Sequence, residues 1–410
     1  IEVSEDAVMW AVDGKDDRSV AFAARLLEQN IQVRIVDKDS VLSGHNLSRG
    51  SVTVIAMDNP NSADLHEIIN TVATDLNMSV VSIESGFGPK ELPDWGGRHF
   101  RLLKKPQIAI LSHSGFSSYD VGVSWWSLDH NLGIRHSQLN SSLTGYGDLR
   151  RYNTIILPSG SPDLSNYAKD ILMDWVKQGG TLIANNRSTR SIISNDIGSV
   201  KNLNNTFDKS KNFSFDLMRE IYSKEEYIDI SDANVNIVST EITYPWETTD
   251  ITYSKEELEM RDKWQSTLMP SGGIVSARAD NEHWLTFGTE DVVPVLYGNY
   301  PILMTGGNSE AALRIGELLP NKESETKTIN WSQIPSGYDL SVRMSGLVWP
   351  EASQRIANSA YLTREKIGKG QIILFSGEPN FRGSALGTNR LWLNAVVYGS
   401  GLGTNSLVTP

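Results

Sequence analysis

Three loops that follow predicted strands carry polar side chains able to do chemistry. In Ser112-His113-Ser114-Gly115 an imidazole base lies beside hydroxyl groups, and such a base can activate a serine nucleophile. A second loop contains Ser159-Gly160. The third contains Glu378, Asn380 and Arg382, which could hold a polar ligand. Because open α/β sheets bind ligands at the carboxyl ends of their strands, the sequence predicts that these groups line a pocket there.

A catalytic role for His113 competes with a structural interpretation. Side chains that are adjacent in sequence usually point apart, so His113 is more often the border of a loop pocket than a base for Ser112. No G-x-S-x-G elbow occurs in the chain. A stand-alone hydrolase would instead need His113, Ser159, Asn185 and Glu378 to converge in one pocket. That requirement separates this alternative from a non-catalytic protein.

The loop Gly377–Gly383 also has a structural interpretation. Pro379 and Phe381 could shape its backbone. Arg382 would then pair with Glu378 or with a backbone carbonyl oxygen. The sequence favours this structural interpretation of the loop over a ligand site.

Several common kinds of site are excluded by residue type. The 410 residues include no cysteine, which excludes disulfides, thiolate metal sites and cysteine nucleophiles. None of the seven histidines has a glutamate three residues later, as a His-x-x-Glu zinc motif requires, and His66 and Glu67 are adjacent on a helix, where their side chains diverge. The first strand–helix turn has Gly14 alone among three aspartates, so it does not predict nucleotide binding.

Composition restricts the classes of partner. A net charge of −12 argues against a nucleic-acid-binding surface, because such affinity comes largely from Lys and Arg. No apolar run approaches the roughly 20 residues of a membrane helix. The eleven tryptophans, including Trp125-Trp126, could stack on sugars, although tryptophans at helical spacing such as Trp175 are more often core. A glycan- or ligand-binding module is therefore a second alternative, and it requires exposed aromatic side chains along one groove.

The elements that position these residues follow an alternating pattern. Within residues 7–85, strands at Ala7–Val12, Ile31–Val36, Thr53–Met57 and Val80–Ile83 alternate with two amphipathic helices. This alternation predicts a parallel sheet covered on both faces. We therefore assign residues 1–88 to a small βαβ-type α/β domain and residues 89–105 to a linker or strap.

A second α/β region occupies residues 106–400. Its predicted strands include Gln107–Leu111, Thr154–Leu157 and Thr181–Ala184. A helix near Tyr119–Asn131 follows the first of them. After the second, Ser161 could cap a helix whose first position is Pro162, and Gly179-Gly180 would end that helix.

The later part of this region is less regular. Residues 195–345 are predicted to be an irregular insertion with mixed strands. Regularity returns at Ala360–Arg364 and Gln371–Phe375, joined by a hairpin turn at Gly368-Lys369-Gly370, and in a final helix over Leu386–Val397. Residues 401–410, with the glycines around them, are predicted to be a tail.

Several segments together carry a family resemblance. They are Trp95–Phe100, Pro106–Leu111, Ser117–Asp120, Leu157–Gly160, Gly179–Asn186, Gly368–Gly383 and Thr388–Ala395. These segments resemble the class I glutamine-amidotransferase-like (flavodoxin-like) domain. More narrowly, they are similar to the version that follows the catalytic domain of large bacterial zinc carboxypeptidases of the M14 family. The resemblance implies an α/β fold with a parallel sheet over most of residues 90–400.

The resemblance also implies where a nucleophile would lie. In active relatives a cysteine occupies the tight turn after the strand equivalent to Thr181–Ala184. Here that turn offers Asn185 and Asn186, and an amide cannot act as a thiolate nucleophile. We therefore expect a degenerate nucleophile elbow, with no catalytic residue in this chain.

The resemblance implies that this chain is a non-catalytic C-terminal region of a secreted or periplasmic M14-type zinc carboxypeptidase. Its expected partner is a peptidase domain of the same polypeptide, preceding Ile1, that holds zinc and hydrolyses C-terminal peptide bonds. The chain itself would hold no cofactor and would serve scaffolding, substrate positioning or subunit contact, with a peptide or glycan as a further ligand. The first residue, Ile1, and the lack of a signal segment lead us to expect a processed product or part of a longer polypeptide.

Overall fold

The computed structural model describes residues 7–89, 91–140, 148–162, 164–203, 236–238, 254–321 and 337–404. Over these ranges the chain is a mixed α/β structure with two large sheets. Parts of the predicted insertion, namely 204–235, 239–253 and 322–336, lie outside the described residues, as do residues 405–410 of the predicted tail.

Helices and strands occur along the whole of the described part of the chain. The helices are α1 Ser19–Glu28, α2 Leu65–Asp75, α3 Ser118–Trp126, α4 Asn166–Lys177, α5 Arg187–Ser194, α6 Lys255–Thr267, α7 Pro350–Ile356 and α8 Leu386–Tyr398. The strands up to the first large loop are β1 Met9–Val12, β2 Arg34–Val36, β3 Ser40–Leu42, β4 His45–Leu47, β5 Val52–Ile55, β6 Val81–Ile83, β7 Phe100–Leu102, β8 Ile108–Ser112, β9 His136–Asn140, β10 Thr154–Leu157, β11 Thr181–Asn185 and β12 Lys201–Asn202. The remaining strands are β13 Gly273–Ala279, β14 Val292–Tyr297, β15 Leu303–Met304, β16 Ser309–Ile315, β17 Glu317–Pro320, β18 Tyr338–Ser341, β19 Arg343–Ser345, β20 Ala360–Ile367 and β21 Gly370–Phe375.

The first sheet has the order β6-β1-β5-β2-β7, and every neighbouring pair is antiparallel. The prediction of a parallel sheet is therefore wrong for this part of the chain. The two strands of each strand–helix–strand unit are not neighbours in the sheet. Strand β5 lies between β1 and β2, and β1 lies between β5 and β6. The two units interlock as split βαβ motifs, the arrangement of ferredoxin-like folds.

Both faces of this first sheet are buried. Helices α1 and α2 pack on the face that carries Trp10 and Val12. The hairpin β3–β4 and Trp95 cover the face that carries Met9 and Ala11. Strand β7 and Trp95 both come from the predicted linker 89–105, so the linker is part of this unit's sheet and core.

The described residues contribute twelve strands to the second sheet, and its centre is parallel in the order β21-β11-β10-β8-β9. Leu182 and Ala184 of β11 pack in the core formed with α4 and α5, whereas Ile183 packs in the core on the α8 side. The parallel sheet that the resemblance implies for residues 90–400 is therefore observed at the centre of this mixed sheet.

Antiparallel strands widen the second sheet at one side. Strand β20 returns to β21 through the turn Gly368-Lys369, with Ile367 opposite Gly370, so the predicted hairpin is confirmed. Strands β16, β13 and β14 then extend the sheet beyond β20. They come from residues 195–345, so this part of the predicted insertion belongs to the sheet, whereas β17 and β18 pair in a separate two-stranded sheet.

Helix α4 begins later than its sequence signals predict. Ser165 rather than Ser161 precedes its first turn. The backbone N–H of Ser161 donates to the carbonyl oxygen of Gly115 at 2.6 Å, and Gly160 pairs with Phe116 as an isolated bridge. These contacts hold residues 160–161 against the loop after β8, so they cannot join the helix.

The end of the chain also differs from its prediction. Gly399–Gly403 continue α8 as a π-helical turn rather than starting a tail. Gly403 lies so close to Gln371 that a Cβ there would come within 1.8 Å of the glutamine side chain. Close packing against β21 therefore fixes this glycine, and the predicted tail is wrong up to this residue.

Arg390 on α8 joins the two large units. Its side chain is 2% exposed and donates to the carbonyl oxygens of Gly14 and Asp16, both at 2.9 Å, and to the hydroxyl of Ser19 at 3.1 Å. Asn394, one turn later, accepts from Arg390 Nε at 3.1 Å. The first strand–helix turn, with its single glycine, thus serves as the contact point for α8.

Candidate functional site

The turn between β11 and α5 has the geometry of a nucleophile elbow. Asn186 occupies it with φ 46° and ψ −105°, a backbone conformation that residues with a Cβ rarely adopt. Its N–H donates to the carbonyl oxygen of Phe375 at 3.1 Å. The hydroxyl of Thr189 donates to the same oxygen at 2.8 Å, and Ser188 Oγ donates to the carbonyl oxygen of Pro158. Surrounding hydrogen bonds therefore hold the strained residue in place.

The amide side chain of Asn186 is engaged by a carboxyl group. Its Nδ2 donates to Glu378 Oε1 at 2.9 Å, which joins the elbow to the loop after β21. Burial raises the pKa of Glu378, and the negative charge of Asp120 raises it further. The hydrogen bond from Asn186 and the positive charge of Arg187 oppose this rise. The elbow thus presents an amide, bonded to a half-buried carboxyl group, where an active elbow would present a nucleophile.

Asp120 and Tyr300 complete the charged surroundings of the elbow. Burial raises the pKa of Asp120, while a hydrogen bond with Ser117 and the charge of Arg187 lower it. Burial raises the pKa of Tyr300 too, followed by the negative charges of Glu378 and Asp120. The ring of Tyr300 also lies against Gly377, where a Cβ would come within 2.7 Å of it. Two carboxyl groups and a phenol, all half-buried, therefore share one region.

The raised pKa of Glu378 predicts a pH-dependent effect of Glu378→Gln. Below the ordinary pKa of glutamate, both folded and unfolded chains are protonated at this position, so the carboxyl group costs nothing. As the pH rises through the raised folded pKa, the unfolded chain has already released its proton, and the folded state loses stability. We therefore expect Glu378→Gln to raise the free energy of unfolding at pH 7, and to do so less at pH 4.

Urea unfolding at the two pH values measures this effect. The exposed Glu91→Gln is the control and should change the free energy of unfolding little at either pH. The measurement compares the change in unfolding free energy caused by Glu378→Gln at the two pH values. A smaller stabilisation at pH 7 than at pH 4 would contradict the raised pKa of Glu378.

The side chains of Ser112 and His113 were expected to point apart, and this expectation is wrong, because His113 Nδ1 lies 2.8 Å from Ser112 Oγ. His113 is exposed and has a positive φ of 71°. Among the described residues, no hydrogen bond joins His113 to Asn185, Ser159 or Glu378. Ser159 is 3% exposed, and its carbonyl oxygen accepts from the N–H of Ser117. At Gly160 a Cβ would come within 2.5 Å of the carbonyl oxygen of Gly115, so this glycine permits a close approach of two loops.

Two of the predicted ligand groups after β21 are also structural. Asn380 is 4% exposed, and its Nδ2 lies 3.4 Å from Ser127 Oγ. Arg382 is exposed with a positive φ of 51°, and its guanidinium lies 5.1 Å from the ring centroid of Phe381. The expected pairing of Arg382 with Glu378 is replaced by the bond from Asn186.

Asn185 differs from its neighbour Asn186. It is the last residue of β11 and is 3% exposed. Its side-chain oxygen accepts no hydrogen bond from the described residues. Of the predicted site residues, the structure therefore joins Asn186 and Glu378 directly.

No sequence pattern pointed to a site role for Asp120, Arg187 or Tyr300. Asp120 lies in the first turn of α3, where Ser117 Oγ accepts from its N–H at 3.4 Å. The spacing from Ser117 to Asp120 is a helix-capping signal, and it conceals the electrostatic role. Tyr300 comes from the predicted insertion, and nothing local in its sequence places it near the elbow.

The described tryptophans fall into three groups by exposure. Trp10, Trp175, Trp264, Trp284 and Trp392 are buried, and Trp95 and Trp349 are half-buried. Trp125 and Trp126 are 40% and 42% exposed at the end of α3, and Trp126 stacks on His130 with ring centroids 4.0 Å apart. A glycan-binding groove that uses the exposed tryptophans of the described residues would therefore involve the end of α3.

The described residues contain no group of three or more His, Cys, Asp or Glu side chains that could hold a metal ion. Among their helices, none has the length and apolar character needed to cross a membrane.

Comparison with known proteins assigns no family. No family model matches the chain. No curated protein matches it either.

Several solved structures show distant similarity. A cytoplasmic protein from Salmonella typhimurium is 12% identical with a TM-score of 0.32, and the alignment covers 71% of this chain and 97% of that one. A ThuA-like protein from Bacteroides uniformis is 12% identical with a TM-score of 0.33, covering 70% and 89%. A β-galactosidase from Bacillus circulans is 11% identical with a TM-score of 0.33, covering 89% of this chain and 38% of the enzyme. TM-scores this low establish neither a shared fold nor a shared function.

Proposed function

We propose that this chain is a non-catalytic accessory region of a secreted or periplasmic M14-type zinc carboxypeptidase. In this proposal, residues 106–400 form a class I amidotransferase-like, flavodoxin-like domain whose nucleophile is missing. The observation that carries the proposal is Asn186, an amide held at a strained elbow.

The contacts of the elbow support a domain that has lost its catalytic group and kept the backbone conformation of the turn. A nucleophile at this position would need a thiol or hydroxyl that can be activated by a base. The amide of Asn186 has neither, and its nitrogen is bonded to Glu378. The backbone strain of the turn is nevertheless maintained by the bonds from Asn186 N–H and Thr189 Oγ1 to Phe375. Retained strain without a reactive group is what a scaffold derived from an enzyme would show.

The accessory role rests on the family resemblance of the segments around this elbow. The peptidase domain of the same polypeptide would hold zinc and hydrolyse C-terminal peptide bonds through a zinc-bound water. The present chain would position that domain or its peptide substrate. Its own residues would supply surfaces and rigidity rather than a step of the reaction.

The complete natural polypeptide that contains this chain provides the test. We expect it to contain zinc by elemental mass spectrometry and to release C-terminal residues from peptides, with loss of activity after treatment with a chelator. We expect the 410-residue chain alone to do neither. A complete polypeptide without zinc and without carboxypeptidase activity would overturn the proposal.

A ligand-binding module is the second candidate function. Tyr119, Trp125 and Trp126 are exposed on or at the end of α3. The ring of Trp126 would lie 3.6 Å from a Cβ built on Gly383, so Trp126 borders the loop after β21. Affinity electrophoresis on soluble glycans would test this role, with retardation lost in Trp125→Ala; equal mobility in the presence and absence of every glycan would remove it.

A further inference from the structure

A cleft lies at the amino ends of the parallel strands of the second sheet, whereas the elbow lies at their carboxyl ends. Its volume is about 360 Å³, and its lining includes Glu28, Lys105, Arg135, His136, Arg151 and Tyr152. Glu28 comes from the end of α1, so both large units contribute to the cleft. The other lining groups come from segments that lead into β8, β9 and β10.

The parallel sheet explains why cations gather here. Lys105 precedes β8 by three residues, Arg135 immediately precedes β9, and Arg151 precedes β10 by three residues. In the order β10-β8-β9 these strands are parallel neighbours. Their amino ends therefore meet at one edge and bring together three cations that are far apart in sequence.

The charges of the cleft do not balance internally. Glu28 forms ion pairs with Arg135 and with Lys105, whose Nζ lies 3.7 Å from the carboxylate. Arg151 is exposed and forms no hydrogen bond or ion pair with another described residue, since Arg150 holds the neighbouring Asp148. Three cations against one carboxylate leave an excess of two positive charges, in a chain whose net charge is −12.

We propose that this cleft binds a small oxyanion carrying two or more negative charges. Guanidinium groups present paired N–H donors that match carboxylate and phosphate oxygens, and Arg151 is available for such a contact. The ammonium of Lys105 and the guanidinium of Arg135 add positive charge to the same lining. The site is independent of the elbow and of the proposed accessory function.

Calorimetric titration of the natural chain with inorganic phosphate tests this proposal, with sodium chloride at matched ionic strength as the reference. We expect saturable binding of phosphate and none of chloride. Arg151→Gln should weaken phosphate binding about tenfold, because one charge-assisted contact is lost. The exposed Arg98→Gln, which removes the same charge outside the cleft, should change the dissociation constant less than about twofold.

Titration with malonate distinguishes the chemistry of the oxyanion. Tighter binding of malonate than of phosphate would assign a dicarboxylate, and the reverse order would assign a phosphate-type ligand. Lys105→Gln gives a second variant that should also weaken the preferred anion. Absence of saturable binding for both anions, or unchanged binding in Arg151→Gln and Lys105→Gln, would overturn the proposal.

Discussion

Replacing Arg390 by alanine is expected to lower the free energy of unfolding by about 3–5 kcal/mol. The buried guanidinium donates to the carbonyl oxygens of Gly14 and Asp16 and to Ser19 Oγ. Alanine would leave the buried carbonyl oxygen of Gly14 without this donor, at a cost of about 1–3 kcal/mol, and would leave a cavity where the guanidinium was packed. The carbonyl oxygen of Asp16 would keep its bond from the N–H of Ser19. The same change removes a donor to Asn394, which itself donates to Leu285 and Phe287.

Urea unfolding followed by tryptophan fluorescence measures this loss. The matched control is Arg150→Ala, since Arg150 is 81% exposed in its side chain and pairs with Asp148 on the surface. We expect the control to change the free energy of unfolding by about 0.5 kcal/mol or less. Equal effects of the two substitutions would show that Arg390 does not join the two units.

The second large effect is expected for Trp392→Ala, at about 3–5 kcal/mol of lost unfolding free energy. Trp392 is 0% exposed on α8 and packs in the core that spans both large units. Its removal would leave a cavity that the surrounding side chains cannot close completely.

Trp125→Ala removes the same type of side chain from an exposed position, so it is the control for Trp392→Ala. Trp125 is 40% exposed, so its truncation should cost about 1 kcal/mol or less. Guanidinium unfolding of both variants gives the two values. A cost for Trp125→Ala as large as that for Trp392→Ala would show that the exposed tryptophan is part of the core, and it would remove the basis for a ligand surface at α3.

Strong local signals identified parts of the fold correctly. The turn Gly368-Lys369-Gly370 between two apolar runs predicted the hairpin of β20 and β21, and the apolar segment before Asn185 predicted β11. Such signals depend on neighbouring residues alone, so they can be read from one sequence. They also placed the elbow turn at the correct residues.

Properties set by distant contacts could not be predicted in the same way. Strand order in the first sheet depends on how two split units interlock, and the sequence pattern is the same for adjacent or split strands. The start of α4 was displaced because Ser161 bonds to Gly115, more than forty residues earlier in the chain. In each case tertiary contacts overrode a local preference.

The candidate site illustrates the same limit. The sequence identified Glu378 and Asn186 separately, but their hydrogen bond joins residues 192 positions apart. Asp120 carried only a capping signal, and Tyr300 lay in a segment without a clear pattern. The cation cleft was hidden as well, because its three cations lie in separate segments that the parallel sheet brings together.

The central claim is that the elbow keeps its geometry without a working nucleophile. The most direct measurement is the release of ammonia from glutamine and of nitrophenol from p-nitrophenyl acetate by the natural chain, by Asn186→Ala and by Glu378→Gln. We predict rates equal to buffer for all three proteins. Turnover by the natural chain that disappears in Asn186→Ala or Glu378→Gln would contradict the claim and show that the elbow is an active site.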